Sequence, residues 1–338
     1  MRTYKTAIIG AGTIAKVHAR TLHENKRTEF AAIADIDLQR AADLAAPYGA
    51  RAYGDYRMMI KEERPEIAII TLPHHLHKEA AIFCMEQGCH ILLEKPMALN
   101  TGECSEINAA AGKYGVRASV GHMQHFFAAN IKAKEIVESG RLGRLVSVHD
   151  KRHHPYFLPE RPGWFLDKSR SGGGVVINLG SHSIDKIQWI TGTRMTKAKA
   201  SLTYWGERGD VEGSGSLFMQ TSSGVPVTVS LCGYNNVSVN ETELLFTGGQ
   251  LKIAGAQALW LGAYDRPYEP VQIGEHAEPF AAQWNKMLDD VEGGGEETDI
   301  SGYYGQSVCA AVDAIYRSHE TGLEQIVEAF YPGAYARQ

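Results

Sequence analysis

The sequence predicts an α/β protein with two domains: a doubly wound parallel sheet in residues 1–121, and an α+β domain with a large, mostly antiparallel open sheet in residues 122–338. Apolar strand-like segments alternate with helical segments through the first third of the chain, which is typical of a parallel sheet covered by helices. Short strand-like segments separated by glycine-rich or polar turns then dominate, as in antiparallel sheets. The length of 338 residues also exceeds the usual size of one hydrophobic core.

The first domain is predicted to alternate strand and helix. The predicted elements are, in order, the strand Ala7–Ile9, a helix after Gly12, the strand EFAAIADID, a helix over Leu38–Pro47, the strand EIAIITLP, a helix over His74–Gln87, the strand CHILLEKP, a helix over Thr101–Tyr114 and the strand VRASVGH. The strands are apolar on both faces, as expected for a sheet buried between two layers of helices. Ligands of such sheets bind beyond the carboxyl ends of the strands, and the unusual residues of this domain follow those ends.

One strand ends at an unexpected pair of charges, Glu94 and Lys95. Pro96 cannot donate to a sheet ladder, so the strand has to end where the charges begin. Lys95 is therefore expected at the rim of the sheet, where an ammonium group could act on a ligand. The alternative is a solvated ion pair at a strand end, which would contribute little stability.

The first strand runs into a glycine pattern, Gly10-Ala11-Gly12, with Ala15 at the third small position. Such glycines let the backbone turn tightly and approach a pyrophosphate, while the N-terminus of the next helix holds the negative charge. The strand, loop and helix follow in the order that a dinucleotide fingerprint requires, so a Rossmann domain is predicted. Gly10, Gly12, Thr13 and Ile14 are the expected contacts.

Asp35 ends the second strand about 20 residues after the glycines, as the same fingerprint requires. Its carboxylate can accept hydrogen bonds from ribose hydroxyls but would repel a 2′-phosphate, and the next residue is Ile36 rather than an arginine. We therefore expect both residues at the adenosine ribose, and NAD in preference to NADP. The alternative is that Asp35 caps the helix that begins near Leu38.

The second domain is predicted from short apolar segments separated by turns. Its predicted strands are RLVSVHD, KAKASLTYW, SGSLFMQT, VPVTVSLCG, TELLFTGG, QLKIAG, ALWLG and PVQI. Ser222-Ser223-Gly224 and Gly248-Gly249 are the best hairpin turns. A late helix is predicted over about residues 303–319, with Val308, Val312 and Ile315 on one side, and it could pack back on the first domain.

Composition excludes several classes of protein. A net charge of −5, with both signs mixed, gives no basic surface for nucleic acid. Five scattered cysteines without CxxC spacing favour reduced thiols in a cytoplasm. No apolar run approaches the roughly 20 residues of a membrane span. His74, His75 and His77 have no partners with zinc-like spacing, so no metal site is expected.

Three motifs together resemble those of the Gfo/Idh/MocA oxidoreductases, over nearly the whole chain. Pro73 and His77 match the family's Pro-x-x-x-His segment, and Glu94-Lys95-Pro96 matches its Glu-Lys-Pro. Residues 173–185, GGVVINLGSHSID, match the pattern G-G-x-x-x-D-x-G-x-H-x-x-D. The resemblance implies an NAD-dependent dehydrogenase acting on a secondary ring hydroxyl of a sugar, sugar derivative or cyclitol, such as that at C3 of a pyranose.

The resemblance also implies roles for individual residues. Lys95 would be the cation at the reacting oxygen and His182 the base, both also touching the substrate. The expected cofactor contacts that this adds are Thr71, Pro73, His74, His77, Glu94 and Lys95. The open sheet of the second domain would pair with another subunit to give a homodimer or homotetramer.

The third motif is predicted to form a helix from about Asn178 to Ile190. On a helix Asn178, His182 and Asp185 project from one side, which makes all three candidate substrate contacts. Asp185 would orient the imidazole or bind a substrate hydroxyl. Asn178 departs from the aspartate of many relatives and excludes an Asp–His proton relay. His125 likewise stands where relatives often have arginine, which leaves the substrate contacts of that segment open.

A basic, aromatic segment, KRHHPYFLPERPGWFLDKSRSGGG, precedes this helix and is interpreted as a loop over the site. Trp164 could stack on a pyranose ring, and His154 is a candidate substrate contact. The basic residues that could meet a carboxylate or phosphate are Arg152, His153, His154, Arg161, Lys168 and Arg170. The alternative is that the aromatic residues only hold the loop in place.

Two other functions remain open from the sequence. A glycosidase of the same family would oxidise, eliminate, add water and reduce back with tightly held NAD. A regulatory protein would bind the dinucleotide without turnover, although the presence of both Lys95 and His182 argues against it.

Overall fold

The computed structural model describes residues 2–293 and 298–328. By its internal contacts the chain divides into two compact units, residues 1–121 with 277–305, and residues 122–276 with 306–338. Segment 277–305, which the sequence assigned to the second domain, thus clusters with the first unit. Met1, residues 294–297 and the last predicted stretch of the second domain, residues 329–338, lie outside the described residues.

The strands and helices of the described residues are as follows. The strands are β1 (Tyr4–Ile9), β2 (Thr28–Ala34), β3 (Arg51–Tyr53), β4 (Ile67–Ile70), β5 (His90–Leu93), β6 (Ala118–Val120), β7 (Leu145–His153), β8 (Met195–Thr203), β9 (Ser214–Thr221), β10 (Pro226–Cys232), β11 (Val239–Phe246), β12 (Gly249–Ala254), β13 (Ala258–Ala263), β14 (Arg266–Pro270) and β15 (Gln325–Ile326). The α-helices are α1 (Thr13–Glu24), α2 (Leu38–Ala45), α3 (Tyr56–Glu63), α4 (His77–Glu86), α5 (Thr101–Tyr114), α6 (Ala128–Glu138), α7 (Lys168–Ser171), α8 (Ser181–Thr191), α9 (Pro279–Gly293) and α10 (Gly302–Thr321).

The first unit contains a parallel sheet with strand order β3-β2-β1-β4-β5-β6, which confirms the doubly wound prediction. The order reverses direction at β1, and ligands of such sheets bind where that happens. Strands β1 and β4 are buried on both faces because helices cover them on each side. The chain also returns to this unit late: Trp284 of α9 packs in one core with Tyr4 and Ile8, and its ring N–H donates to Thr28 Oγ1 at 2.8 Å.

Several local predictions differ from the structure. The short strand β3 and the helix α3 that follows it were not predicted, since three residues carry little periodicity. Asp55 caps α3, and Arg64 ends it in the left-handed conformation at φ 46°. The segment PVQI was predicted as a strand, but the strand there, β14, ends at Pro270. Helices α6 and α9 were also missed.

The second unit contains a mixed sheet with strand order β14-β13-β12-β11-β7-β10-β9-β8-β15. The described ladders are antiparallel except for β7 with β10, which confirms a mostly antiparallel sheet. Both predicted hairpins are present, since residues 222–225 join β9 to β10 and residues 247–248 join β11 to β12. The predicted face of α10 is buried, as Val308, Val312 and Ile315 show.

Candidate active site

The glycine loop after β1 has the geometry of a dinucleotide cradle. Gly10 has φ +97°, and a Cβ there would lie 2.8 Å from the carbonyl oxygen of Thr71, so only glycine fits. Thr71 supports the turn by donating to the carbonyl of Gly10 at 2.9 Å. Gly12 differs, because a Cβ there would meet no protein atom within 4 Å. A glycine that faces open space leaves room for a ligand, and Gly12 begins α1 without a side-chain cap, so a pyrophosphate fits these residues.

Asp35 follows β2 and is held by three hydrogen bonds. Its Oδ2 accepts the N–H of Ala11 at 2.8 Å, and its Oδ1 accepts the N–H of Asp37 at 2.9 Å and the guanidinium of Arg40. Burial raises the pKa of Asp35, but these hydrogen bonds outweigh burial and hold the pKa below its usual range. Asp37, not Asp35, caps α2, so the capping alternative is wrong. Ile36 is 96% exposed.

The charges after β5 are not a solvated pair. The strand ends at Leu93, as predicted, and the Glu94 side chain is only 14% exposed. Its Oε1 accepts from His18 Nε2 at 2.8 Å, and its Oε2 accepts the N–H of Lys95 at 3.2 Å. Burial raises the pKa of Glu94, but the hydrogen bond from His18 and the charge of Lys95 together lower it by more, so the pKa lies below its usual range. Glu94, the residue before Lys95, is therefore hydrogen-bonded to α1, the helix that begins at the glycine loop.

His77 lies between the loops that follow β4 and β5, and its contact with a cofactor stays a prediction. The residue is 0% exposed, and its Nδ1 and Nε2 lie 2.9 and 2.8 Å from the carbonyl oxygens of Pro96 and Leu72. Burial lowers its pKa although both carbonyl contacts raise it. His77 thus fastens the loop after β4 to the turn after Lys95. His74, only 3% exposed, is nearly as enclosed, whereas Pro73 is partly exposed.

The third motif does not form one regular helix. Residues Val176–Gly180 form a π-helical turn, and α8 begins only at Ser181. The wider turn changes the angular position of Asn178 relative to His182, so the predicted spacing on one α-helical face is wrong for Asn178. The Nδ2 of Asn178 donates to the hydroxyl of Tyr156 at 3.4 Å. Gly192 ends α8 at φ 67°, as predicted.

The start of this helical segment is anchored by Glu212, which the sequence analysis missed. Its fully buried carboxylate accepts the N–H groups of Gly174 at 2.9 Å and Val176 at 2.8 Å, and the hydroxyl of Tyr316 at 2.9 Å. A Cβ at Gly173 would lie 1.9 Å from the Tyr316 oxygen, which explains the paired glycines of the motif. Burial raises the pKa of Glu212 against these hydrogen bonds.

Asp185 lies in a buried cluster with His125 and His122. The residue is 0% exposed; its Oδ1 accepts from His125 Nε2 at 2.6 Å, and His122 Nδ1 lies 3.6 Å from its Oδ2. The ring of His125 stacks on Trp189 at 4.8 Å. Asp185 thus positions the segment before α6, and its contact with a substrate stays a prediction.

The neighbouring residue of α8 extends this cluster. Lys186 pairs with Asp150 of β7 at 2.8 Å, and both side chains are buried. Arg152 of β7 is also buried and donates to Ser183 at 3.2 Å. Burial lowers the pKa of Lys186, although Asp150 raises it. These contacts fix α8 on β7 and hold Arg152 in a buried position.

The basic segment before α8 is less irregular than predicted, because β7 extends to His153 and α7 forms within it. Arg161 lies over the ring of Tyr156 at 4.0 Å, so its charge is used within the segment. Trp164 stacks on Phe165 at 3.7 Å and is partly buried. His154 is exposed, with its Nδ1 3.5 Å from Ser238 Oγ. Lys168 and Arg170 are exposed as well.

Within the first unit, the structure brings the expected cofactor residues to one edge of the sheet, the carboxyl ends of β1, β2, β4 and β5. Lys95 belongs to this unit and His182 to the second, so their pairing stays a prediction. His18 and Tyr156 were missed. A signal for His18 was available, since it lies on the buried stripe of α1 with Ala15 and Leu22.

Comparison with known proteins decides the family. The family model described as "Oxidoreductase family, NAD-binding Rossmann fold" matches residues 4–122, and the "GFO/IDH/MocA C-terminal domain" matches residues 130–252; together they cover more than half of the chain. The chain belongs to the Gfo/Idh/MocA oxidoreductase family. Its first unit is accordingly an NAD-binding Rossmann fold.

Individual relatives share less than a third of the aligned residues with this chain. A 1-carboxy-3-chloro-3,4-dihydroxycyclohexa-1,5-diene dehydrogenase of Comamonas testosteroni is 29% identical over 70% of this chain and 60% of its own. The D-glucoside 3-dehydrogenase of Escherichia coli K12 is 30% identical over 57% of this chain and 56% of its own. The chain thus matches less than two thirds of the length of either relative. A levoglucosan dehydrogenase solved with NADH has a TM-score of 0.90 at 21% identity, covering 97% of this chain and 100% of that one, and shares its fold.

Among the described residues, no helix is long and apolar enough to cross a bilayer.

Proposed function

We propose that the protein is an NAD-dependent dehydrogenase that oxidises a secondary ring hydroxyl of a sugar, sugar derivative or cyclitol, with C3 of a pyranose favoured. The observation that carries the proposal is the hydrogen bond from His18 to Glu94. It connects the residue before Lys95 to the helix that begins at the glycine loop, so a cation and a dinucleotide cradle are held by one contact. Motif, fold and relatives named for sugar-ring substrates support it.

Gly10, Gly12, Thr13 and Ile14 would hold the pyrophosphate, and Asp35 the adenosine ribose. When bound, NAD supplies the acceptor for the hydride that leaves the carbinol carbon. Lys95 places a positive charge at the oxygen that becomes a carbonyl, which favours loss of the hydroxyl proton. His182 takes that proton as general base. Asn178, which cannot carry a proton at neutral pH, holds a hydroxyl by hydrogen bonding.

The remaining residues of the site act indirectly in this proposal. Glu212 fixes the start of the helical segment that bears Asn178 and His182, and Asp185 fixes its middle through His125. His154 and Trp164 lie on the segment before α8 and are proposed to meet the part of the sugar that does not react. In this proposal, residues 1–121 bind the cofactor, and residues 122–338 bind the substrate.

The open face of the second unit's sheet is proposed to pair with a second copy of this chain, giving a homodimer or homotetramer. The described cysteines are all free, as in a cytoplasmic protein.

A substrate screen tests the function. Sugars, sugar acids, sugar phosphates, inositols and nucleotide sugars are incubated with NAD⁺ and the wild-type chain, Lys95→Ala or His182→Ala, and NADH absorbance is followed. We expect net NADH formation with one ring alcohol and a loss of about 10²–10⁴-fold in kcat in each variant.

Binding of NAD⁺, measured by calorimetry, should change little in His182→Ala and provides the control for folding. Equal rates in wild type and both variants would exclude the proposed roles. Cleavage of a glycoside without net NADH would indicate the glycosidase, and binding of NAD⁺ without turnover of any compound would indicate the regulatory protein.

A further inference from the structure

Arg161, in the basic segment before α8, is a partly buried cation that has no anionic partner among the described residues. Its Nε is buried without a hydrogen-bond partner, and its guanidinium forms no salt bridge with a described carboxylate. We infer that Arg161 binds an anionic group of the substrate, a carboxylate or a phosphate, so that the enzyme acts on acidic sugars in preference to neutral ones. The inference rests on the proposed function and names the substrate class of that same site.

Two aromatic rings position the guanidinium without giving it a hydrogen-bond acceptor. Its Cζ lies 4.0 Å from the ring centre of Tyr156 and 5.1 Å from that of Phe165. The ring faces stabilise the positive charge within the segment, but arginine also carries five N–H donors. Carboxylate and phosphate are the groups that accept two parallel N–H groups of a guanidinium. The contact that Arg161 lacks is therefore the one that an anionic ligand supplies.

Other arginines of this chain show what is missing at Arg161. Arg2 and Arg57 also lie over aromatic rings. Arg2 pairs in addition with Glu66, and Arg57 pairs with Glu79. The hydrogen bond to Glu66 raises the pKa of Arg2, whereas burial lowers the pKa of Arg161. A partly buried charge without a counter-ion is unfavourable, and an incoming anion relieves that cost.

Tyr156 connects Arg161 to a residue proposed to hold the substrate. The ring of Tyr156 contacts the guanidinium, and its hydroxyl accepts from Nδ2 of Asn178 at 3.4 Å. Only one tyrosine side chain thus lies between Arg161 and Asn178, which is proposed to hold a substrate hydroxyl. A sugar whose hydroxyl contacts Asn178 can therefore present another substituent to Arg161. That substituent is the expected anionic group.

The charge of the surrounding segment also favours an anion. Residues 151–170 contain five Lys or Arg side chains and two acidic ones, although the whole chain has a net charge of −5. A local excess of positive charge raises the local concentration of an anionic ligand. Glu160, the acidic residue next to Arg161 in sequence, is exposed, where solvent screens its charge.

Initial rates of NADH formation test the inference. Glucose, galactose and mannose are each compared with the matching uronic acid and the matching 6-phosphate. For the wild type we expect kcat/KM to be roughly tenfold or more higher for one anionic compound than for its neutral sugar, and the preferred anion distinguishes carboxylate from phosphate. In Arg161→Gln this ratio should fall roughly tenfold or more, mainly through KM, because Arg161 meets a group that does not react. Arg161→Lys should retain part of the ratio, since lysine keeps the charge but not the fork.

Arg266→Gln is the matched control. It removes the same charge from an arginine that begins β14 and is 70% exposed, and it should leave the ratio unchanged. A general loss of folding lowers both rates together, so a change in the ratio reports the contact itself. If the wild type oxidises neutral sugars as well as their anionic counterparts, or if Arg161→Gln lowers the ratio by less than about threefold, the inference is wrong while the proposed function stands. If the wild type oxidises none of these compounds and nothing in the wider substrate screen, the proposed function fails and the inference fails with it.

Discussion

At the scale of single residues, the contact between His18 and Glu94 is the one on which the first unit's site depends. Both side chains are largely buried, so neither is well solvated without the other. Glu94 also packs against Gly121, where a Cβ would approach its carboxylate oxygens to 3.2 Å. The carboxylate is therefore enclosed on several sides, and Lys95 follows a residue with little freedom.

Because the pKa of Glu94 is lowered in the folded chain, its contact contributes stability above about pH 4.5, and this contribution is lost as the pH falls through the folded value. In His18→Leu the carboxylate loses its buried partner. We expect a free energy of unfolding lower by about 1–3 kcal/mol at pH 7, with the difference from wild type shrinking as the pH falls below 4.5.

Urea unfolding at a series of pH values measures this difference. His23→Leu, the same replacement at an exposed position of α1, is the control. A difference between wild type and His18→Leu that stays the same from pH 7 to well below pH 4.5 would contradict the assigned contact.

At the scale of elements, the second unit's site depends on how one helical segment begins. The first N–H groups of a helix have no acceptor within the helix. At the π turn Val176–Gly180, Glu212 accepts the N–H of Val176, and it also accepts the hydroxyl of Tyr316. Glu212 thus connects the loop before β9 to α10 and to the segment that bears His182. Removal of the carboxylate would leave several buried donors without an acceptor.

For Glu212→Ala we expect a free energy of unfolding lower by roughly 2–4 kcal/mol, because each buried donor left without a partner costs about 1–3 kcal/mol. Glu212→Gln keeps one oxygen acceptor and should lose less, and Tyr316→Phe should lose about 1 kcal/mol. Thermal and denaturant unfolding report these losses. Glu207→Ala, in the exposed loop nearby, should unfold as the wild type does; equal behaviour of Glu212→Ala and Glu207→Ala would exclude the anchor.

Sequence patterns predicted the elements better than their contacts. The end of β5 before Glu94 followed from Pro96, and the end of α8 followed from Gly192, since both depend on local backbone rules. His18 and Glu94 are 76 positions apart, so no local pattern pairs them. The π turn was hidden because its residues read as an ordinary helix. Helix α9 was predictable from Trp284, Met287 and Leu288, whose spacing is helical.

At the scale of the whole molecule, the sheet of the second unit has one face covered by helices and one face open. The open face carries a concavity of about 600 Å³. Its lining includes His149, Lys151, Ser216, Phe218, Thr228 and Glu243. Phe218 is 50% exposed, and the lining contains charges of both signs, so this face is the one proposed to pair with a second copy.

Phe218→Asp should weaken this proposed pairing, because two copies would bring like charges together in a buried interface. We expect a molar mass of two or four chains for the wild type by size-exclusion chromatography with light scattering, and a shift toward a single chain in the variant. Val237→Asp, an apolar-to-acidic change on a loop, is the control. A monomeric wild type, or an unchanged mass in Phe218→Asp, would exclude the interface.

The late return of the chain to the first unit affects how the protein is made. Tyr4 and Ile8 emerge from the ribosome early, but the core they share with Trp284, Met287 and Leu288 cannot close until residues 122–276 have been synthesised. The usual order, in which an N-terminal domain folds first during translation, is thereby reversed or delayed. Until then the apolar side chains of β1 and β4 lack part of the core that covers them. A truncated product that stops before α9 lacks Trp284, Met287 and Leu288, so the core of its first unit is incomplete.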